Sequence, residues 1–294
     1  MDVEHKFGGK HTDIKLEIVR RYIEAYLLVM SKQNFRNIYI DAFAGTGSRT
    51  VSQNGIPLLD VNNNSTLVAP GSASLVLQME KGFDHHIFID KNPKHVAALQ
   101  ALTVNFPNKS VECFQGDANE LVTKFCNETD WKGNGVHWGT RAVLFLDPYG
   151  MEVEWKTLKA IAATQTIDLW FLFPMSGLVR QAARRWSSLD DSKINAITRC
   201  LGTEEWREKL YTPDLQLGLF SEPELERKQD VRALESYVKE RLETVFSSWV
   251  SDPIPLISSR GAQLYSLFFA ISNPRNAAKG IARKIVEHLR KGIK

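Results

Sequence analysis

The feature that most constrains the fold is a short, mostly apolar run, Asn37-Ile38-Tyr39-Ile40. It ends directly in Asp41-Ala42-Phe43-Ala44-Gly45-Thr46-Gly47. A strand that stops at an acidic residue and two glycines makes a tight turn at a sheet end, because glycine takes a left-handed backbone at no steric cost. The same punctuation recurs. Ile87-Phe88-Ile89 ends in Asp90, and Val111-Glu112-Cys113-Phe114 is followed by Gly116-Asp117. Val143-Leu144-Phe145-Leu146 ends in Asp147-Pro148-Tyr149-Gly150, and Leu169-Trp170-Phe171-Leu172-Phe173 in Pro174. Segments with helical spacing of apolar residues, at 12–30, 71–79, 94–103, 120–126 and 155–163, separate them. Continuous apolar strands alternating with amphipathic helices predict an α/β, Rossmann-like fold: a mostly parallel sheet, covered on both faces, with right-handed crossovers.

Residues 175–230 break this rhythm. They are helix-forming and mixed in charge, carry Trp186 and Trp206, and contain a turn-rich stretch at 212–223. They read as a helical insertion or substrate cap. A helix is expected at 230–247, strands at 255–259 and 264–271 about Arg260-Gly261-Ala262, and a last helix at 276–289. The two late strands predict a hairpin that adds an antiparallel strand at one sheet edge, for seven strands in all. The chain then divides into a first helix with the ligand-binding part over 1–174, the insertion over 175–230, and completion of the sheet over 231–294. Residues 52–70 are polar, carry Asn62-Asn63-Asn64-Ser65 and read as a loop.

Open α/β sheets bind ligands at the carboxyl ends of their strands, so these ends hold the candidates. A dinucleotide site has Gly-x-Gly-x-x-Gly with an acidic residue about 20 positions on. Here Gly45-Thr46-Gly47 continues into Ser48-Arg49-Thr50, and the next acidic strand end, Asp90, is more than twice that far along. An NAD dehydrogenase is therefore the weakest reading. S-adenosylmethionine has no pyrophosphate and needs no third glycine. Asp41 suits its positive methionine end, directly or through water. Asp90, expected to be exposed, suits ribose hydroxyls, and Asp117 suits an adenine amino group with Ala118 leaving room for a flat ring. Taken singly, Asp90 and Asp117 are equally well helix caps. Together the three strand ends point to the methyl donor. His11 and Lys15, at the start of the first helix, are candidates to fold over the methionine end, or are solvated groups.

Asp147-Pro148-Tyr149 is the sharpest catalytic candidate. Asp147 suits a hydrogen bond from a substrate amine, Pro148 fixes a bend, and Tyr149 suits stacking on a planar ring. Orienting a nitrogen lone pair in this way supplies much of a rate. The bland alternative is an Asp-Pro turn with Tyr149 packed beneath it. Phe173-Pro174 is a candidate pocket wall. Arg180, Arg184 and Arg185 suit phosphate, although Asp190 and Asp191 weaken such a footprint.

A net charge of +3 permits a nucleic-acid substrate without arguing for one. Cys113, Cys126 and Cys200 are scattered, and neither they nor His85, His86 and His95 match a metal-ligand spacing, so no metal is expected. The charged N-terminus lacks a secretory pattern, and no apolar run is long enough to span a bilayer. A non-membrane, cytoplasmic protein is expected.

These motifs resemble the three-Cys-motif partner family of class I S-adenosylmethionine-dependent methyltransferases. The resemblance covers roughly the first 175 residues. It rests on His11-Thr12-x-x-Lys15-Leu16-Glu17-Ile18 with Tyr22-x-x-Ala25-Tyr26, on Tyr39-Ile40 with 41–47, on Phe88-Ile89-Asp90, on Gly116-Asp117-Ala118-Asn119, and on Phe145-Leu146 with 147–150. It implies that Asp41, Phe43, Ala44, Gly45, Gly47, Asp90, Lys91, Asp117, Ala118 and Asp147, with His11 and Lys15, hold S-adenosylmethionine. It places Asp147, Pro148 and Tyr149 where an amino-methyltransferase motif would stand. That motif usually has two prolines, and this chain has one. With that departure the resemblance leaves DNA, RNA, protein and small-molecule acceptors open, and the expected activity is N-methylation of a nucleic acid or modified base. It also implies a partner, a cysteine-motif protein resembling radical S-adenosylmethionine enzymes. The alternative is a non-catalytic, cofactor-binding scaffold for that partner.

Overall fold

The computed structural model describes residues 10–52, 66–133, 138–213 and 224–292. Helix α1 (Lys10–Met30) leads into strand β1 (Arg36–Asp41). α1 buries Ile18, Val19, Tyr22, Ile23, Tyr26 and Leu27, spaced three and four apart. Its outer face is braced by ion pairs from Arg20 to Glu24 (2.5 Å) and from Arg21 to Glu17 (2.6 Å).

β1 is followed by an antiparallel hairpin of β2 (Ser48–Ser52) and β3 (Thr66–Pro70). This corrects the loop expected at 52–70; residues 53–65 lie outside the described residues. The sequence Thr66-Leu67-Val68 favours extended backbone, but the ladder stands apart from the main sheet and no alternating apolar pattern announces it.

The chain then alternates as expected: α2 (Ser72–Leu77), β4 (His85–Asp90), α3 (Pro93–Thr103), β5 (Val111–Gln115), α4 (Ala118–Glu128), β6 (Thr140–Leu146), α5 (Trp155–Ala163) and β7 (Ile167–Phe173). Residues 175–230 hold α6 (Met175–Gln181), a 3-10 turn, α7 (Asp191–Leu201), α8 (Trp206–Leu210) and a short pair, β8 (Thr212–Pro213) with β9 (Leu225–Glu226). Leu178, Ile197, Leu201, Trp206 and Leu210 from this segment join the same apolar cluster as Leu144 and Phe171 of the sheet. The rest is α9 (Val231–Glu243), β10 (Trp249–Val250), β11 (Ile254–Ile257), β12 (Gln263–Ile271) and α10 (Asn276–Lys291).

The sheet runs β5-β4-β1-β6-β7-β12, with β10 and β11 both on the outer side of β12. β12 is antiparallel to β7, and the strands from β5 to β7 are parallel. There are eight strands where seven are expected, because the edge strand is broken between β10 and β11. Pro253 stands in the break and has no N–H to continue a ladder.

Both faces of the sheet are buried. Ile38, Ile40, Leu144, Leu146, Phe171 and Phe173 point to one cluster with α4 to α7 and α9, while Tyr39, Phe88, Val143, Phe145, Trp170 and Leu172 point to another with α1 to α3 and α10. The two-residue period sends alternate side chains to opposite faces, so neither face can be polar. Each fully buried phenylalanine contributes roughly 1.5–3 kcal/mol. From β1 the chain moves outward to β4 and β5, then returns to β6 on the other side. The carboxyl ends of β1 and β6 therefore flank a switch point, where a crevice opens. No helix among the described residues is long and apolar enough to cross a membrane.

Candidate active site

The turn after β1 is closed by its own backbone. Ala44 N–H donates to Ile89 O (3.0 Å), Gly47 N–H to Ala44 O (3.3 Å), and Gly45 N–H to Asp90 Oδ2 (2.9 Å). Gly45 and Gly47 have φ of +60° and +72°. A Cβ on Gly47 would lie 2.7 Å from Leu102 Cδ2, whereas a Cβ on Gly45 would meet nothing within 4 Å. Gly47 therefore serves packing and Gly45 keeps the crevice wall low. Gly71 N–H donates to Gly47 O (2.9 Å), which fixes the start of α2 against the turn.

The crevice has a volume of about 830 Å³ and is walled by Thr12, Lys15, Phe43–Ser48, Ser72, Asp147–Tyr149, Leu172 and Tyr265, among others. Asp41 is not on this wall. It is fully buried beneath it; Oδ1 accepts from Phe43 N–H (3.4 Å), Oδ2 has no hydrogen-bond partner among the described residues, and the hydroxyl of Ser72, which does line the crevice, stands close to the carboxyl group. Burial pushes the Asp41 carboxyl up to about 7; Ser72 opposes this, and Asp147 adds to it. The direct contact expected for Asp41 is thus replaced by one relayed through Ser72 or a water. Lys15 reaches down from α1 and forms an ion pair with Asp147 Oδ2. His11 lies in the first turn of α1, with its side chain outside the described residues.

A second chamber of about 550 Å³ adjoins the first and shares Phe43, Asn92, His95 and Tyr149 with it. Asp90, Lys91, Asp117, Ala118, Asn119 and Arg199 line it. Asp90 is buried, where exposure was expected. Besides Gly45 N–H it accepts from Asn92 N–H (2.8 Å) and bonds His95 Nδ1 (3.1 Å). The β1 turn comes back onto the end of β4, and its free N–H draws the carboxylate inward. Asp117 caps α4 through Asn119 N–H (2.9 Å) and Glu120 N–H (3.4 Å). Asn119 donates to Glu152 O (3.0 Å) and accepts from Glu154 N–H and the Thr157 hydroxyl (2.9 Å each), tying this chamber to the loop after Asp147. Lys91 is exposed at the rim.

At the end of β6 the candidate catalytic residues stand together. Pro148 is buried, and Tyr149 is 58% exposed at the junction of the two chambers. That excludes a Tyr149 packed beneath its turn. Tyr265, on antiparallel β12, faces the same space, and burial with the Asp147 charge holds its hydroxyl above the ordinary range. Phe173 points into the opposite cluster, so Leu172 forms the expected wall instead. Arg184 and Arg185 pair with Glu226 and Glu224. His85 and His86 bond Ser110 near the start of β4, away from the crevice. Sequence reasoning missed Ser72, Asn92, Tyr265 and the role of Asn119; only Asn119 stood inside a quoted motif.

The strand order, with one antiparallel strand next to the broken edge, decides the architecture. The fold is that of the class I methyltransferases. No family model and no curated protein matches the sequence. Solved structures similar to it include protein LPL1258 of Legionella pneumophila, at 14% identity and TM-score 0.49 over 93% of this chain and 91% of that one. Another is Trm1 of Pyrococcus horikoshii with S-adenosyl-L-methionine, at 11% and 0.44 over 98% and 60%. A third is an O-methyltransferase of Bacillus cereus with SAH, at 12% and 0.36 over 90% and 92%. At such scores nothing about the crevice follows from them, and the three-Cys-motif resemblance rests on the motifs alone.

Proposed function

We propose that the protein is an S-adenosylmethionine-dependent methyltransferase acting on a nitrogen of a nucleic acid or modified base. One observation carries this reading: Asp147, Pro148 and Tyr149 open onto the same crevice as the Gly45–Gly47 turn, beside the switch point of the sheet. The residues fit the cofactor. A low glycine wall, the orphaned Oδ2 of a carboxylate beneath it and the Ser72 hydroxyl suit an ammonium. Lys15, Phe43, Ala44, Gly45, Gly47 and Ser72 would hold the methionine end, and Asp90, Lys91, Asp117 and Ala118 the adenosine end. Asp90 and Asp117 would do so chiefly by shaping the backbone, since their carboxylates already accept from N–H groups.

When bound, S-adenosylmethionine supplies an electrophilic methyl group on a sulfonium. Asp147 accepts the acceptor's N–H and turns its lone pair into the crevice, while Tyr149 offers an exposed ring to the base. Lys15 holds the Asp147 carboxylate until the acceptor N–H competes for it. A base within a duplex must be flipped out to reach this depth. The helices of 175–230 supply Arg199 to the second chamber and are the proposed selector of the acceptor.

Labelled methyl transfer to separated RNA, DNA, protein and small-molecule fractions tests the reading. Transfer to RNA or DNA alone is the expected result, and transfer to protein alone would overturn it. The Lys15–Asp147 ion pair favours a second reading, a cofactor-binding scaffold whose carboxylate is already satisfied. In that case no fraction is labelled although S-adenosylmethionine binds, and a cysteine-motif partner should co-purify.

A further inference from the structure

Charge is unevenly spread along this chain. Residues 275–294 carry seven Lys and Arg against one acid, Glu287, a net of +6 in a chain whose total is +3. Five of the seven lie in α10. The inner side of α10 is fixed by Ala282 and Val286, both buried, with Ile285 and Leu289 packed against the core. At 100° per residue, the opposite arc is centred on Lys284 and Lys291, with Gly280 and Glu287 beside them, Arg283 at its edge and Lys279 farther round the same flank. Arg283 is paired with Glu287 (2.6 Å), and Arg290, at the margin, with Asp252 (3.0 Å). Among the described residues, no carboxylate lies within ion-pair distance of Lys279, Lys284 or Lys291.

A row of uncompensated cations on a rigid helix repels itself and is relieved by a polyanion. The arc has no large apolar or aromatic side chain; Ile281 lies to one side, over the seam with α1. It therefore suits a phosphodiester backbone better than a partner seated through apolar contact. Its position also connects it to the crevice. Lys284, His288 and Lys291 share a groove with Arg21, Leu28 and Glu24 of α1, the last paired with Arg20, and Arg21 is six residues, about 9 Å of helix, from Lys15 in the crevice wall.

We propose that α10 is a track for the phosphodiester backbone of the nucleic acid whose base enters the crevice. This rests on the nucleic-acid reading above. The test uses the whole chain and a fluorescein-labelled, mixed-sequence single-stranded RNA of about 20 nucleotides, titrated at several salt concentrations without cofactor. Each backbone contact contributes about 0.7 to the slope of log affinity against log salt for a single strand. Lys279→Glu/Lys284→Glu/Lys291→Glu should lower that slope by about 2 and weaken binding at least tenfold. S-adenosylmethionine affinity and thermal midpoint should stay unchanged. A control with the same net charge, Lys124→Glu/Lys159→Glu/Lys209→Glu, should bind more nearly like the wild type. Equal losses in the two triple variants, or an unchanged slope on α10, would overturn the track. So would a wild type that ignores RNA and binds polyglutamate, which would mark an acidic polypeptide as the partner. Methyl transfer to a free nucleoside separates the two failures. It persists if only the track is wrong, and it is absent, with RNA binding retained, if the proposed activity is wrong.

Discussion

The two ends of the central sheet each bury a carboxylate, and they use it differently. At the carboxyl end, Asp41 is fully buried, is pushed up by burial to about 7, and among the described residues has no partner for Oδ2. At the amino end, Asp168 at the start of β7 is pushed up by burial to about 6, and it accepts from the Tyr22 hydroxyl at 2.5 Å with Arg141 nearby. The same cause raises both, but Asp168 Oδ2 has its hydrogen bond made, whereas Asp41 is held only at Oδ1, by Phe43 N–H at 3.4 Å. A completed buried bond fixes α1 on the sheet, whereas an open one costs stability and has a use only if something arrives to complete it.

The largest expected contrast is catalytic. Asp147→Asn should reduce methyl transfer at least about a hundredfold, in the range for a lost positioning or proton-accepting group. S-adenosylmethionine affinity should stay within a few-fold. Asp168→Asn should leave transfer unchanged. Equal loss in both variants, measured with labelled cofactor at saturation, would erase the distinction between the ends.

Next is cofactor binding. Asp41→Asn should weaken S-adenosylmethionine about tenfold, the worth of a charge-assisted contact relayed through Ser72 or water. Asp168→Asn should not weaken it. Calorimetry decides this, and an Asp41→Asn protein that binds normally would make Asp41 as structural as Asp168.

How much of this was legible in the sequence follows from the same physics. Strands such as Val143-Leu144-Phe145-Leu146 announced themselves because both faces of the sheet are covered, and every strand end expected to carry an acid does so. The β2–β3 hairpin did not, since it pairs outside the sheet. Asp90 was misjudged because its exposure is set by Gly45, which folds back from β1 to donate to it. Tyr265 carried no local signal. It enters the crevice only because β12 runs antiparallel and brings its first residues to the carboxyl ends of the others.

The pH dependence sharpens the comparison further. Both carboxyls titrate higher in the folded chain than near 3.8, so the native state holds more protons over that window. Stability is therefore full below about pH 4 and falls as pH rises, to about 6 for Asp168 and about 7 for Asp41, by up to about 1.4 kcal/mol per unit for each group. Thermal midpoints should drop across this range, and either Asn variant should flatten its own part. A bound ammonium favours ionised Asp41, so S-adenosylmethionine affinity should rise with pH up to about 7 in the wild type and in Asp168→Asn. In Asp41→Asn that rise should vanish. A wild-type affinity independent of pH between 5.5 and 7.5 would deny Asp41 any part in binding.

The smallest effect belongs to the made bond. Tyr22→Phe removes only the hydroxyl that serves Asp168, while the ring keeps its edge contact with Trp170 (5.4 Å) and its contact with Phe269 (4.9 Å). The expected loss is about 1–3 kcal/mol, the cost of leaving a buried carboxyl unsatisfied. Urea unfolding reads it, and cofactor affinity should not move. Protonation of Asp168 would relieve part of that cost, so the deficit should be smaller at pH 5 than at pH 8. A deficit independent of pH would mean that the hydroxyl acts through packing, and the two ends of the sheet would then differ in geometry alone, without the difference in charge that sets Asp41 apart.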